Sequence, residues 1–155
     1  EFAAHESPQE RERRFPDPQD PRIFDESKLR LEERATPAGA GVLLLHTELL
    51  HLRTTDAVLR RQDREQMRAY AASEPLLLVH MWHGREHRLI AGNFGIAIDE
   101  TAATANVPEE LRGLAWTAVL STDETRFGGG GGAALLDAEM ISLPPNTVAW
   151  FTATV

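Results

Sequence analysis

The chain has 155 residues, 42% of them hydrophobic and 26% charged, with a formal net charge of -8, a balance that fits one globular domain or a small domain with an appendage. The acidic charge argues against a nucleic-acid partner, whose phosphates demand a basic surface, and it leaves no basic amphipathic helix for an anionic membrane. The absence of cysteine excludes disulfides, thiolate zinc sites and cysteine nucleophiles and makes a cytoplasmic location the expectation, while no apolar run approaches the ~20 residues of a membrane span.

The chain opens on Glu1 rather than Met, so that Glu1-Phe2 reads either as a cloning scar or as a start inside a longer protein, and it shows no signal-peptide pattern. Residues 1–14 read as the end of a helix. Pro8, Pro16, Pro18 and Pro21 bar a long helix from the second half of this proline-rich stretch. Residues 15–38 are therefore expected to form an extended loop, with Ser27 either capping a short turn or lying within the loop. A loop of this length is out of place in a compact domain and points to a missing partner surface.

Residues 41–53, GVLLLHTELLHLR, give the clearest helix. Val42, Leu45, Leu49 and Leu52 recur at helical spacing, and Leu43, Leu44 and Leu50 widen the stripe. A helix this apolar expects cover on more than one side. From residue 64 the period changes to two. EQMRAYAA alternates, PLLLVHMWH is an apolar run of strand length, and GREH is a polar turn into RLIAGNF. AWTAVLST, AEMISL and NTVAWFTATV come later, with alternation or β-branched enrichment. Six short strands with turns between them predict an antiparallel β-sandwich with the helix packed on its edge. Residues 95–114 hold room for one more short strand.

Few constellations carry chemistry. The run Gly128–Gly132 is followed by Ala133-Ala134, not by the Lys-Ser/Thr pair of a phosphate loop, and reads as a flexible connection. His80 and His83 would share a face on a helix and invite a metal, with His87 nearby; on a strand they point to opposite faces. The composition says strand, so no metal site is expected. His46 and His51 lie five apart on a helix and do not face each other. The acidic pairs Asp25-Glu26, Asp99-Glu100, Glu109-Glu110 and Asp123-Glu124 are neighbours in sequence. A glycosidase needs two carboxylates facing each other across a sugar, and these pairs read as solvated turns. Trp82, Trp116 and Trp150 sit on three predicted strands, where aromatics fill a core more often than they stack on sugars. Trp116 and Trp150 are expected between the sheets, the first on one face with Ala118 and Leu120, the second with Val148.

Several segments together resemble one family. DPQDPRIFDESKL, residues 17–29, is similar to the segment that follows the last active-site loops in malto-oligosyltrehalose trehalohydrolases, members of the α-amylase superfamily. Their pattern is Asp-Pro-Gln, then Thr-Phe, then Ser-Lys-Leu-Asp-Trp. The chain keeps Asp17, Pro18, Gln19, Phe24, Ser27, Lys28 and Leu29 and departs at Ile23 and at Arg30-Leu31. EFAA resembles the helix end before that segment. LLLHTELLHLR resembles the last barrel helix, with His46 where Tyr is usual. RLIAGNF, VLSTDETRFGGG and ISLPPNTVAWF resemble the family's C-terminal sandwich.

The resemblance implies residues 1–60 as the end of a catalytic (β/α)8 barrel and residues 61–155 as the amylase-type C-terminal β-sandwich. The parent would release trehalose from maltooligosyltrehalose by cleaving an α-1,4 bond through a retaining, two-carboxylate mechanism. Its aspartate nucleophile, glutamate acid/base and stabilising aspartate would all lie upstream of Glu1, so no catalytic, cofactor-binding or metal residue is carried over. The implied partners are the N-terminal barrel and, through it, a maltooligosaccharide. Three other readings stay open: the sandwich of a glycogen branching enzyme, a free-standing carbohydrate-binding module, and a sandwich whose only job is to stabilise its barrel.

Overall fold

A computed structural model of the chain describes residues 17, 19–95 and 102–155. The helix end expected over 1–14 lies outside them, as do Pro8, Pro16 and Pro18. Contacts divide the chain into two compact units, residues 1–33 and 34–155.

The expected extended loop over 15–38 is not one. Helix α1, Pro21–Glu26, is started by Asp20, whose side chain accepts from the Arg22 N–H, and by Pro21 in the first turn. Proline there loses no hydrogen bond and presets φ, so a residue that bars a long helix instead begins a short one. Ser27 is its C-cap, and the Ser27 hydroxyl donates to the Ile23 carbonyl at 2.6 Å. A 3-10 turn covers Leu31–Ala35.

Helix α2, Pro37–Thr55, begins earlier than its apolar stripe by the same device. Thr36 Oγ1 accepts from the Gly39 N–H at 3.1 Å, with Pro37 next in the chain. Asp56 ends it. Its carboxylate then accepts from the Val58 and Leu59 N–H groups, both at 3.0 Å, and so starts the 3-10 turn Leu59–Arg61.

Eight strands complete the chain, all paired antiparallel: β1 Met67–Ser73, β2 Leu76–His83, β3 Glu86–Asn93, β4 Ala103–Asn106, β5 Thr117–Ser121, β6 Leu135–Leu136, β7 Met140–Leu143 and β8 Thr147–Thr154. They form a five-stranded sheet in the order β1-β2-β3-β8-β5 and a three-stranded sheet in the order β4-β7-β6. The six predicted strands are present. The ambiguous stretch holds β4, and the two-residue β6 is too short to leave a periodic signal.

The core lies between the sheets. Leu76 and Leu78 of β2, Leu89 and Ala91 of β3, and Ala149 and Phe151 of β8 face Ala105, Ile141 and Leu143 from the smaller sheet, closed by Val107 and Leu111. Alternation along each strand aims these residues at one face. Asn93, almost fully buried, ties the layers together: its Nδ2 donates to the Leu143 and Pro144 carbonyls at 3.0 Å and its Oδ1 accepts from the Gly95 N–H at 2.9 Å.

Both edge strands of the larger sheet carry a register shift, between Ala71 and Ser73 in β1 and between Ala118 and Leu120 in β5. The second shift corrects an expectation. Ala118 pairs with Phe151 and Leu120 with Trp150, so the extra residue, Val119, puts Ala118 and Leu120 on opposite faces. Trp150 is buried, but on the outer face of the sheet, because its neighbours Ala149 and Phe151 are the ones in the inter-sheet core. Val148 does share its face.

Helix α2 does not lie flat on the sheet. Its N-terminal half meets the turn after edge strand β5: a side chain on Gly41 would come within 2.7 Å of the Phe127 carbonyl. Arg126 Nη1 reaches Glu48 at 2.5 Å, and Arg126 Nε reaches Glu124 at 2.6 Å. The C-terminal end is pinned to β3 instead. Arg88, buried on the outer face, donates from Nε to Asp56 at 2.7 Å, from Nη1 to the His87 carbonyl at 2.9 Å and from Nη2 to Glu86.

Candidate functional site

The two-residue turn Gly84-Arg85 fixes the β2–β3 hairpin so that His83 pairs with Glu86, Trp82 with His87 and His80 with Leu89. His80 and His87 therefore meet diagonally on the inner face. His80 Nε2 and His87 Nδ1 are 3.0 Å apart and their rings stack at 5.3 Å. Trp82 stacks on His80 at 4.9 Å, and Trp116 meets His80 edge-on at 6.2 Å. The Arg68 guanidinium sits 5.9 Å over the Trp82 ring. The cluster borders the inter-sheet core: His80 is buried, while Trp82, His87 and Trp116 are half-buried. Trp116, expected mostly buried, packs against the core and donates its indole N–H to the Leu111 carbonyl at 3.2 Å.

His83 lies on the opposite face, as the strand reading required. Among the described residues no group of three His, Cys, Asp or Glu side chains is placed to hold a metal ion. The His80–His87 contact is what sequence reasoning missed. The signal was the short turn, which fixes hairpin register and hence which histidines share a face.

Burial pushes the His80 pKa down to about 4, helped by the nearby charges of His87 and Arg68. Burial and then Arg88 lower that of His87. At neutral pH the pair is thus uncharged, and one ring donates while the other accepts. The unfolded chain takes up its His80 proton near 6.5 and the folded chain only near 4. Between these values the unfolded state holds more protons, so stability is full above about pH 6.5 and falls as the pH is lowered towards 4. A loss of about 2–3 kcal/mol is expected. Urea unfolding of the wild type and His80→Leu across this range checks it, since the variant should show a shallower dependence. Parallel curves would refute it.

The remaining candidates build structure. Asp123 organises the glycine run. Its carboxylate accepts from the Gly130 and Gly132 N–H groups at 2.7 and 2.6 Å, and its carbonyl accepts from Gly131 at 2.7 Å. Gly128 and Gly131 have φ of 91° and 81°, a region open chiefly to glycine. The loop expected to be flexible is thus wrapped around one carboxylate. Glu124 accepts from the Ser121 N–H at 2.8 Å and pairs with Arg126. Asp25-Glu26 and Glu109-Glu110 are exposed on α1 and on a 3-10 turn, and Asp99-Glu100 lies outside the described residues. His46 and His51 are both exposed on α2, and His46 Nδ1 contacts the Val42 carbonyl at 2.9 Å.

The residues of the Asp-Pro-Gln to Ser-Lys-Leu segment that are described lie in and around α1. Phe24 is exposed beneath Lys28, whose Nζ is 4.6 Å from the ring centre and 2.6 Å from Asp25. Leu29 and Leu31 are exposed.

The largest departure from a sealed surface is α2. Only Gly41 is buried along it, and Leu45, Glu48 and Leu52 are half-buried. Val42, Leu43, Leu44, Leu49 and Leu50 are exposed, Leu50 at 61%. Scattered exposed leucines are ordinary; five exposed apolar side chains within nine residues of one helix form a patch of the kind that marks an interaction surface. Among the described residues no helix is long and apolar enough to cross a membrane. No protein-family model matches the sequence, and no curated protein matches it.

Proposed function

We propose that the chain is the non-catalytic C-terminal portion of a starch-active glycoside hydrolase of the malto-oligosyltrehalose trehalohydrolase kind. In this reading α2 is the last helix of the parent's (β/α)8 barrel and the sandwich stabilises that barrel. The cytoplasm is the matching location. The observation that carries this is the exposed apolar surface of α2, which has the character of a helix meant to be covered on several sides. The sandwich of a glycogen branching enzyme would serve equally well at the level of fold, and the segment from Asp17 to Leu29 favours the trehalohydrolase.

Two measurements test it. The purified chain mixed with maltooligosyltrehalose is expected to release no trehalose above the uncatalysed rate. It is also expected to self-associate, as seen by light scattering, and Leu43→Glu with Leu50→Glu should return it to a monomer. Trehalose release by the chain alone would overturn the reading, and so would a wild-type chain that stays monomeric and binds no apolar dye.

Trp82, half-buried beneath Arg68, and the half-buried Trp116 favour a carbohydrate-binding module as the second reading, since aromatic faces stack on sugars. Saturable binding of maltooligosaccharides by the chain, lost in Trp116→Ala, would decide for it.

A further inference from the structure

The C-terminal end of α2 and the turn after it stand off from the outer face of the five-stranded sheet, and the gap is a cavity of ≈ 440 Å³. Its size is that of a small-molecule pocket. Leu49 and Val58 wall it on one side, and Met81, Ile90 and Trp150 on the other. Three cations, Arg53, Arg61 and Arg64, also line it, with a single acidic residue, Asp63. These arginines are exposed. None of the three is in an ion pair among the described residues. In a chain of net charge -8, such a rim runs against the overall balance.

Aliphatic and aromatic walls with arginines along their edge describe one kind of ligand, an apolar body with an anionic head.

We propose that this cavity binds a small amphipathic carboxylate, its apolar body against Met81, Ile90 and Trp150 and its carboxylate at the arginine rim. The cavity adjoins the proposed barrel interface at Leu49, which belongs to both, and Leu50, exposed on α2 but not lining the cavity, tells the two apart.

Decanoate, kept below its micelle concentration, serves as the probe, with calorimetry and tryptophan fluorescence as readouts on the full chain. Saturable one-to-one binding with a change in tryptophan emission is expected. Arg61→Ala with Arg64→Ala, both at exposed positions that leave folding intact, should weaken it by about tenfold, the worth of a charge-assisted hydrogen bond. Decanol should bind more weakly than decanoate by a similar factor, and Ile90→Trp, which fills the cavity, should abolish binding. Leu50→Glu should leave it unchanged. Three results would overturn the proposal: no saturable binding, equal affinity for decanoate and decanol, or a loss caused by Leu50→Glu rather than by the arginine variants. If Ile90→Trp fails to fold, the arginine variants decide.

Discussion

Asp56→Ala is expected to destabilise the chain by about 3–5 kcal/mol, the cost of leaving a buried charge without its partner. The reason lies in the double duty of this carboxylate. One oxygen accepts the Val58 and Leu59 N–H groups and starts the turn after α2. The other takes the Nε–H of Arg88 at 2.7 Å, where the two side chains are only 12% and 9% exposed. Burial opposes the Arg88 charge, and hydrogen bonds to Asp56 and Glu86 more than restore it, so its pKa lies above the ordinary arginine value. Removing Asp56 leaves a guanidinium that stays charged and loses its most buried partner. Arg88→Met in the same chain should recover part of the loss, since it removes the orphaned charge and keeps the volume. Urea midpoints of the two single variants and the double variant measure this. Additive losses would mean that the pair is not coupled.

Trp150→Ala should cost about 3–5 kcal/mol, a value typical of large buried aromatics. Trp150 is 5% exposed and pairs across β8 with Ile90 on one side and Leu120 on the other. Truncation would merge its own volume with the cavity beside it. The void would then be wide and partly wet, which moves the cost towards the lower end of the range if water enters. Thermal unfolding followed by circular dichroism gives the value. A loss under about 1 kcal/mol would show that the outer face contributes little to stability and that the inter-sheet core carries the fold.

Trp150 marks a limit of what the sequence makes legible. NTVAWFTATV reads as a strand because Thr147, Ala149, Phe151 and Ala153 alternate, and all four are buried. Which face each tryptophan takes is not legible. The strand is central in its sheet and covered on both sides near Trp150, so both members of Trp150-Phe151 are apolar and the pattern cannot rank them. At Leu120 the difficulty is different. Alternation carried across a bulge inverts the face, and nothing in AWTAVLST marks Val119 as the extra residue. The stretch 15–38 departs from its expected loop for a third reason: proline reads as a breaker, whereas Pro21 and Pro37 stand where helices start. Legibility of the site is poorer. His80 and His87 meet only because a two-residue turn sets the hairpin register. The cavity depends on how far α2 stands from the sheet, which no local pattern encodes.

The register shifts in β1 and β5 have a bearing on how this molecule can associate. A sheet grows by adding strands where its outermost backbone is straight and its free N–H and C=O groups are evenly spaced. Here both outermost strands of the larger sheet are interrupted, while the interior pairings β2–β3 and β3–β8 run through eight residue pairs each without a break. An incoming strand would find hydrogen-bonding groups out of step at either side. Among the described residues the leucines of α2 form a dense exposed apolar patch, one that two copies can satisfy by covering each other. Crowding should give closed, reversible pairs rather than open-ended fibres.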